Sequence, residues 1–296
     1  MSKIKKAVIT SAGVGTRFLP YTKSIQKEML PVLNRPIIDY VVDDCVHAGV
    51  EEIIFVINQH NGSQIKDYYS DNQFIKDYLI KMKKTEKLPL VENLYKKAKF
   101  TFIEQSDDSS EYGTAVPLKL VKKYVENEDA FLMLMGDDFI LNENGESEVQ
   151  SMIKHFESKC PDALVSAITI PEDLLYKYGV MRFKDENGEK FLVDFIEKPE
   201  TGKAPSNLAN ISKYIFTPKI FDSVENQKID AVHNELLITD TIIDFAKNHN
   251  VVVHVSSGQY LDSGYILGWL KANIEVALGN KDLKNDLMEY LHNKIS

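Results

Sequence analysis

Cysteine is nearly absent from this chain of 296 residues: only Cys45 and Cys160 occur. Two cysteines make neither a disulfide framework nor a thiolate zinc cluster, and they fit a reducing compartment such as the cytoplasm. Long apolar runs are missing too. No stretch approaches the roughly 20 apolar residues that span a bilayer. The N-terminus is basic (Lys3, Lys5, Lys6), but the apolar stretch after it stops at Ser11 and Gly13, which argues against a signal peptide. Positive charge is not in surplus, since the net charge is −9 and the pI is about 5.4. That excludes a general nucleic-acid binder, so any phosphate site must be a local basic patch. The seven histidines (47, 60, 155, 233, 249, 254, 292) show no metal-ligand spacing, and there is no internal repeat or low-complexity tract. What is present is an ordinary soluble composition, 44% hydrophobic and 27% charged, long enough to bury a large core.

The apolar pattern organises the chain. Ile4 to Thr10 reads as a buried parallel strand ending in a glycine loop. Pro36 opens a helix through Ile37, Tyr40, Val41, Cys45 and Ala48, which Gly49 stops, and Glu52 to Ile57 is a second strand. Residues 62–99 read as two amphipathic surface helices. Further strands are expected at Phe100–Glu104, Ala130–Met135 and Ala163–Ile170, with a polar loop over 107–111 and helices over Thr114–Tyr124 and Ser147–Ser158. Val180–Phe183, Phe191–Ile196 and Asn210–Phe216 then suggest an antiparallel section beside a parallel sheet, with an Asn187-Gly188 turn. Val251–Ser256 reads as the last strand, and Leu267–Leu278 and Asp282–Lys294 as terminal helices. The expected fold class is α/β: one domain over 1–296 with a Rossmann-like mixed, mainly parallel sheet flanked by helices and a small antiparallel section.

Five stretches carry candidate chemistry. The first is Ala12-Gly13-Val14-Gly15-Thr16-Arg17, followed ten residues later by Lys27. Gly13 and Gly15 let backbone N–H groups approach a polyanion, and Arg17 and Lys27 add charge where phosphates would lie. The loop is read as a nucleoside-triphosphate grip, although a Gly-x-Gly alone also describes a tight turn. It is neither a Gly-x-x-x-x-Gly-Lys-Ser/Thr loop nor a dinucleotide fingerprint, because Phe18 stands where a small residue would be needed. The second is Phe131 to Met135 running into Gly136-Asp137-Asp138, which delivers hard oxygen ligands suited to Mg²⁺ at a strand's carboxyl end; helix or turn capping is the alternative. The third is Asp262-Ser263-Gly264, either a second metal ligand or a turn with a helix cap. The fourth is Glu197-Lys198-Pro199 with Tyr178-Gly179 upstream: Glu197 for sugar hydroxyls and Lys198 for a phosphate, or a surface ion pair. The fifth pairs Gln105, whose amide matches a pyrimidine edge, with Gly113, which would let a base lie against backbone.

In this order the motifs Ser11-Ala12-Gly13-Val14-Gly15-Thr16-Arg17-Phe18-Leu19-Pro20, Lys27-Glu28-Met29-Leu30-Pro31, Gly136-Asp137-Asp138, Tyr178-Gly179-Val180, Ile196-Glu197-Lys198-Pro199, Pro205-Ser206-Asn207-Leu208-Ala209 and Asp262-Ser263-Gly264 resemble the sugar-1-phosphate nucleotidylyltransferases over nearly the whole chain. Lys27 to Pro31 resembles the uridylyl branch. The resemblance implies the nucleotide-diphospho-sugar transferase fold, and transfer of a uridylyl group from UTP to glucose 1-phosphate with Mg²⁺, giving UDP-glucose and pyrophosphate. It implies that Ala12, Gly13, Gln105 and Gly113 hold the uracil, and that Arg17 and Lys27 bind the triphosphate, with Gly15 and Thr16 in the same nucleotide loop. It also implies that Asp137 and Asp262 hold the metal, that Gly179 and Glu197 hold the glucose, and that Lys198 holds its phosphate. A cytoplasmic homodimer or homotetramer, with no nucleic-acid or membrane partner and with residues from about 265 to 296 in subunit contacts, is the expected assembly. The chain departs from the family pattern at Ser11, Gln26, Tyr112, Thr114 and Gly136, while the phosphate and metal groups are intact. Another sugar 1-phosphate or dTTP as substrate is the alternative, and so is a non-catalytic protein on this fold. Such a protein would typically have lost Arg17, Lys27 or a metal carboxylate.

Overall fold

The computed structural model describes residues 4–106, 111–142, 145–229 and 234–295; the expected loop residues 107–110, together with Lys3 and His233, lie outside them. Strand β1 (Lys6–Ser11) leads through three 3-10 turns to the short strands β2 (Pro31–Val32) and β3 (Arg35–Pro36), helix α1 (Ile37–His47) and strand β4 (Glu52–Asn58). Helices α2 (Ser63–Tyr68), α3 (Gln73–Lys81) and α4 (Leu88–Lys96) precede β5 (Lys99–Gln105), α5 (Val116–Val125), β6 (Phe131–Met135) and β7 (Asp138–Leu141). Next come α6 (Glu148–Lys159), β8 (Ala163–Thr169), β9 (Gly179–Glu186), β10 (Glu189–Glu197), β11 (Leu208–Phe216) and α7 (Ile220–Glu225). The described chain closes with α8 (Ile238–Ala246), β12 (Val251–Val255), β13 (Gln259–Asp262), α9 (Ile266–Gly279) and α10 (Lys284–Ile295).

Among the described residues, nine strands form one mixed sheet in the order β5-β4-β1-β6-β11-β8-β12-β10-β9. β5, β4, β1 and β6 run parallel, as do β8 and β12. β9 and β10 make the expected antiparallel hairpin around Asn187 and Gly188, both at positive φ. β11 is not part of a section set beside the parallel sheet: it enters the middle of that sheet between β6 and β8, antiparallel to both. Its apolar residues Tyr214, Ile215 and Phe216 are buried on both faces, as a central strand requires.

The sheet separates two apolar layers by simple alternation. Ile9, Ile53, Phe55, Leu132 and Leu134 face one layer with Ile37, Val41 and Cys45 of α1 and Met152 of α6. Val8, Ile54, Val56, Phe131 and Met133 face the other, against Leu118 and Val121 of α5 and Ile242 and Phe245 of α8. Each such side chain, fully buried, contributes about 1.5–3 kcal/mol. This double burial explains why the strands read as continuous apolar runs.

Two further expectations need correction. Residues 62–99 hold three helices rather than two, because Asn72 caps a fresh start, its side chain accepting from Ile75 N at 3.1 Å, and a proline opens α4. Val251–Ser256 is not the last strand, since β13 follows and pairs antiparallel with β7 as a separate two-stranded ribbon. No helix among the described residues is long and apolar enough to cross a membrane.

Candidate active site

The parallel strands β1, β5 and β6 end along one edge of the sheet, and their ends build the site. The β1–β4 register continues to Ser11, and Gly136 N donates to the Thr10 carbonyl at 3.1 Å, so the glycine loop and the Asp137 segment start side by side. The loop is fixed from behind. Thr22 Oγ1 donates to the Gly15 carbonyl at 2.8 Å, and the Gln26 side-chain amide donates to the Ser11 carbonyl. Gly15 has φ +70, and a Cβ there would come within 3.1 Å of both Lys27 Cβ and Thr22 Cγ2, so a side chain would strain the backbone and crowd its neighbours.

Lys27 crosses the loop to Asp137. Its Nζ lies 2.6 Å from Asp137 Oδ2 and 3.7 Å from Glu28 Oε1. Burial pulls the ammonium's pKa down, but Asp137 and Glu28 outweigh it and hold the group above its ordinary value. Burial opposes ionisation of Asp137, yet Lys27 holds its carboxyl below the usual range. Glu28 lacks so good a partner. Burial, opposed by Lys27 and aided by Asp137, pushes it up to about 7, and its Oε2 is unpartnered.

Asp262 arrives from the opposite direction. The β7–β13 ladder sets Asp138 across from Asp262. Beside them, a Cβ on Gly264 would fall 2.9 Å from Asp137 Oδ2 and 3.1 Å from Asp262 Oδ1. The two carboxylates thus converge on a glycine. Burial and Asp137 raise the Asp262 pKa, against the Gly264 N–H at 3.0 Å and the charges of Arg17 and Lys27. Among the described residues no three His, Cys, Asp or Glu side chains gather as a metal cluster. Two converging carboxylates that repel one another suit a hard divalent cation, whose charge offsets the repulsion and whose shell waters can complete.

A cavity of 140 Å³ opens beside Lys27 and Asp137, and Ala12, Gly13, Gln105 and Gly113 also line it. Gln105 is buried and its Oε1 has no hydrogen-bond partner within the protein, which makes it an acceptor in search of a donor. Gly113, in the same lining, has φ +127, and a Cβ there would lie 2.4 Å from the Leu236 carbonyl oxygen. Leu236 N donates to Tyr112 O at 2.7 Å and Ala115 N donates to Leu236 O at 2.9 Å, so only glycine fits that seam. Glu28, Thr114 and Glu235 line the same cavity and are additions to the expected set. Glu235 carried no signal because helix α8, which follows it, was itself not expected.

The remaining residues are placed differently. Gly15, Thr16 and Arg17 belong to the loop but not to the cavity lining, and Arg17 is exposed. Gly179 and Glu197 are cross-strand neighbours in β9 and β10, and a Cβ on Gly179 would meet Glu197 Oε2 at 2.9 Å. Lys198, at φ +45, has its Nζ 3.5 Å from Glu197 Oε1, and its N–H donates to Tyr178 O at 3.0 Å. Tyr178, the residue before β9, and Asp262 share a second cavity of 290 Å³ with Tyr265 and Lys271.

This fold and edge define a class. The chain belongs to the nucleotidyl transferase family, whose sequence profile matches residues 6–277; enzymes of this family generally use a divalent metal. Among curated relatives, the chain is 33% identical over 292 residues to the UTP–glucose-1-phosphate uridylyltransferase of Staphylococcus haemolyticus, covering 98% of both chains. Among solved structures it resembles the UTP-bound UGPase of Acinetobacter baumannii, with a TM-score of 0.84, 29% identity and coverage of 97% of this chain and 98% of that one. It also resembles a UDP-glucose pyrophosphorylase complexed with UDP-glucose, with a TM-score of 0.79, 29% identity and coverage of 92% and 98%.

Proposed function

We propose that this protein transfers the uridylyl group of UTP to glucose 1-phosphate, releasing pyrophosphate and giving UDP-glucose. The observation that carries this reading is the convergence of the glycine loop, Lys27 and Asp137 on a cavity whose wall holds the unpartnered Gln105 oxygen. The UTP and UDP-glucose complexes of the similar proteins support it.

In this reading uracil lies between Gln105 and the Gly113 seam, against the backbone of Ala12 and Gly13. A phosphate oxygen of glucose 1-phosphate attacks the α-phosphorus of UTP in line. The new O–P bond forms as the bond to the β-phosphate breaks, and the electron pair leaves with pyrophosphate. The attacking oxygen is already anionic, so no general base is needed, and catalysis is alignment plus charge neutralisation. Lys27 and Arg17 stabilise the departing pyrophosphate, with Gly15 and Thr16 holding the loop around it. Lys198 offsets the repulsion between two anions that must approach, and Glu197 and Gly179 hold the sugar hydroxyls. Asp137 and Asp262 would hold Mg²⁺, whose chemistry there is neutralisation of phosphoryl charge.

We place the reaction in the cytoplasm and treat residues 1–296 as one nucleotidyltransferase domain. The exposed apolar residues Ile266, Leu267, Leu270, Met288 and Tyr290 of α9 and α10 would form the contact of a homodimer or homotetramer, which sedimentation of the purified protein would read directly.

The test is pyrophosphate release with Mg²⁺, UTP or dTTP, and a panel of sugar 1-phosphates. Uracil and thymine share a hydrogen-bonding edge and differ by one methyl, which a pocket discriminates by only about 1–3 kcal/mol. UTP with glucose 1-phosphate is expected to be the fastest pair. A faster reaction with dTTP or another sugar would move the reading to that substrate, and no release with any pair would overturn it.

A further inference from the structure

Lys213 is a charged side chain with no place in the mechanism above, yet it is fully buried at the centre of the sheet. It lies on β11, in register with Leu134 of β6. β11 is irregular here. Its pairing with β8 shifts between Asn210 and Tyr214, and Ser212 takes φ +53. Asn210 holds this bulge, its Oδ1 accepting from Ser212 N at 3.0 Å and its Nδ2 donating to Tyr214 OH at 2.9 Å. A bulge re-aims a side chain, and such bulges concentrate beside active sites.

The re-aimed Lys213 points at Asp138. Its ammonium pairs with Asp138 Oδ1 and also donates to the Asp138 backbone carbonyl at 3.3 Å. The other carboxylate oxygen accepts from Tyr260 OH at 3.2 Å. Both carboxylate oxygens of Asp138 thus have a partner within the protein. Asp138 is joined by one peptide bond to Asp137 and sits across the ladder from Asp262, while Tyr260 lies two residues before Asp262. The β7–β13 ribbon is a separate two-stranded sheet, and Lys213 ties it to the main sheet.

The geometry points to Lys213 as a positioning residue that, through Asp138 and Tyr260, sets the spacing of the Asp137 and Asp262 carboxylates for a divalent cation. This rests on the reading of those two residues as metal ligands. Four carboxylates, Glu28, Asp137, Asp138 and Asp262, crowd this edge, with Lys27 on the cavity side and Lys213 behind. Without Lys213, Asp138 would lose the partner that fixes one of its oxygens, and only Tyr260 would hold its orientation. A single compact ammonium also neutralises Asp138 without entering the cavity.

Three variants decide the matter: Lys213→Met, Lys213→Arg and Tyr260→Phe. The first readout is Mn²⁺ binding by electron paramagnetic resonance with UTP and no sugar phosphate. The second is the Mg²⁺ concentration that half-saturates pyrophosphate release, with KM for UTP beside it. Lys213→Met is expected to weaken Mn²⁺ binding and raise the half-saturating Mg²⁺ about tenfold or more, the usual effect of removing a group that orients metal ligands. KM for UTP at saturating metal should stay close to wild type, and Lys213→Arg should recover most of the loss. Tyr260→Phe, which preserves shape, should shift both readouts in the same direction by a smaller factor. If Lys213→Met does not fold, Tyr260→Phe and Lys213→Arg carry the test. Lowered melting temperatures with unchanged metal binding would overturn the proposal and leave Lys213 a stabilising residue only. Wild-type protein that binds Mn²⁺ and UTP but does not use glucose 1-phosphate would overturn the acceptor reading instead, and leave this one standing.

Discussion

Replacing Asp137 with asparagine removes one charge and almost no volume. The lost oxygen is 2.6 Å from Lys27 Nζ, in a pair whose side chains are about one-fifth exposed (21% and 19%). Removing one partner of a buried pair costs about 3–5 kcal/mol. Two effects reduce that here. Lys27 keeps Glu28 at 3.7 Å, and the repulsion that Asp137 exerts on Asp138 and Asp262 disappears. A net loss of about 1–2 kcal/mol remains, equivalent to about 2–8 °C in melting temperature for a chain of this size. Activity should fall much further. Removing a single preorganised electrostatic group at a reacting centre lowers kcat by about 10²–10³, and in the proposed reading Asp137 serves both Lys27 and the cation. The expected variant is folded, melts a few degrees early and loses at least about 10³ in kcat/KM, close to 4 kcal/mol of barrier. Thermal melts and pyrophosphate release measure both quantities on one preparation. A folded Asp137→Asn protein within about tenfold of wild-type kcat/KM, a barrier change near 1.4 kcal/mol, would refute the placing of this carboxylate at the reaction.

Lys198→Ala should raise KM for glucose 1-phosphate about tenfold or more, the worth of one charged hydrogen bond, and leave KM for UTP nearly unchanged; equal effects on both substrates would count against an acceptor role. Gln105→Leu should raise KM for UTP about tenfold or more without lowering the melting temperature, since its oxygen has no partner to lose within the protein; an unchanged KM would remove Gln105 from the base wall. Far from the site, His155 lies 3.1 Å from His254 and 2.9 Å from Glu189, which Lys159 also pairs. Burial, aided by His254 and Lys159 and opposed by Glu189, holds the His155 pKa below its ordinary value. The unfolded chain therefore binds the extra proton first, and this stability is present above about pH 6.5 and lost as pH falls below it. His155→Gln should flatten the decline in melting temperature between about pH 6.5 and 5; a parallel decline in both proteins would contradict the sign.

The parts that could be read from the chain are those with a local signature. Val8 and Ile9 face opposite layers, as do Ile53 and Ile54 and Leu132 and Met133, so the central strands show as unbroken apolar runs. Gly136-Asp137-Asp138 and the lysine after the glycine loop were visible because a strand end or a loop frames them. What escaped was set by approach through space. β13 is four residues long and reads as a turn until β7 is there to pair with it. Lys213 reaches Asp138 across 75 positions, from a bulge that no spacing announces. Asp138, two residues from a chain turn, showed no role by itself; Lys213 and Tyr260 give it one. Glu235 and the Leu236 seam enter the cavity wall because the segment before α8 folds back onto Tyr112 and Ala115, an event without a periodic signal. The hairpin β9–β10 is legible from its turn, while the place of β11 in the middle of the sheet is not, since strand order is a long-range property.

The central claim is uridylyl transfer, and the fate of the α-phosphorus tests it most directly. The protein is incubated with Mg²⁺, glucose 1-phosphate and UTP labelled at the α-phosphorus, and the products are separated. The expected result is label in UDP-glucose with unlabelled pyrophosphate formed in equal amount, and no label transfer when glucose 1-phosphate is left out. Label recovered in UDP or UMP with no UDP-glucose, or a protein inert toward both substrates, would contradict the account.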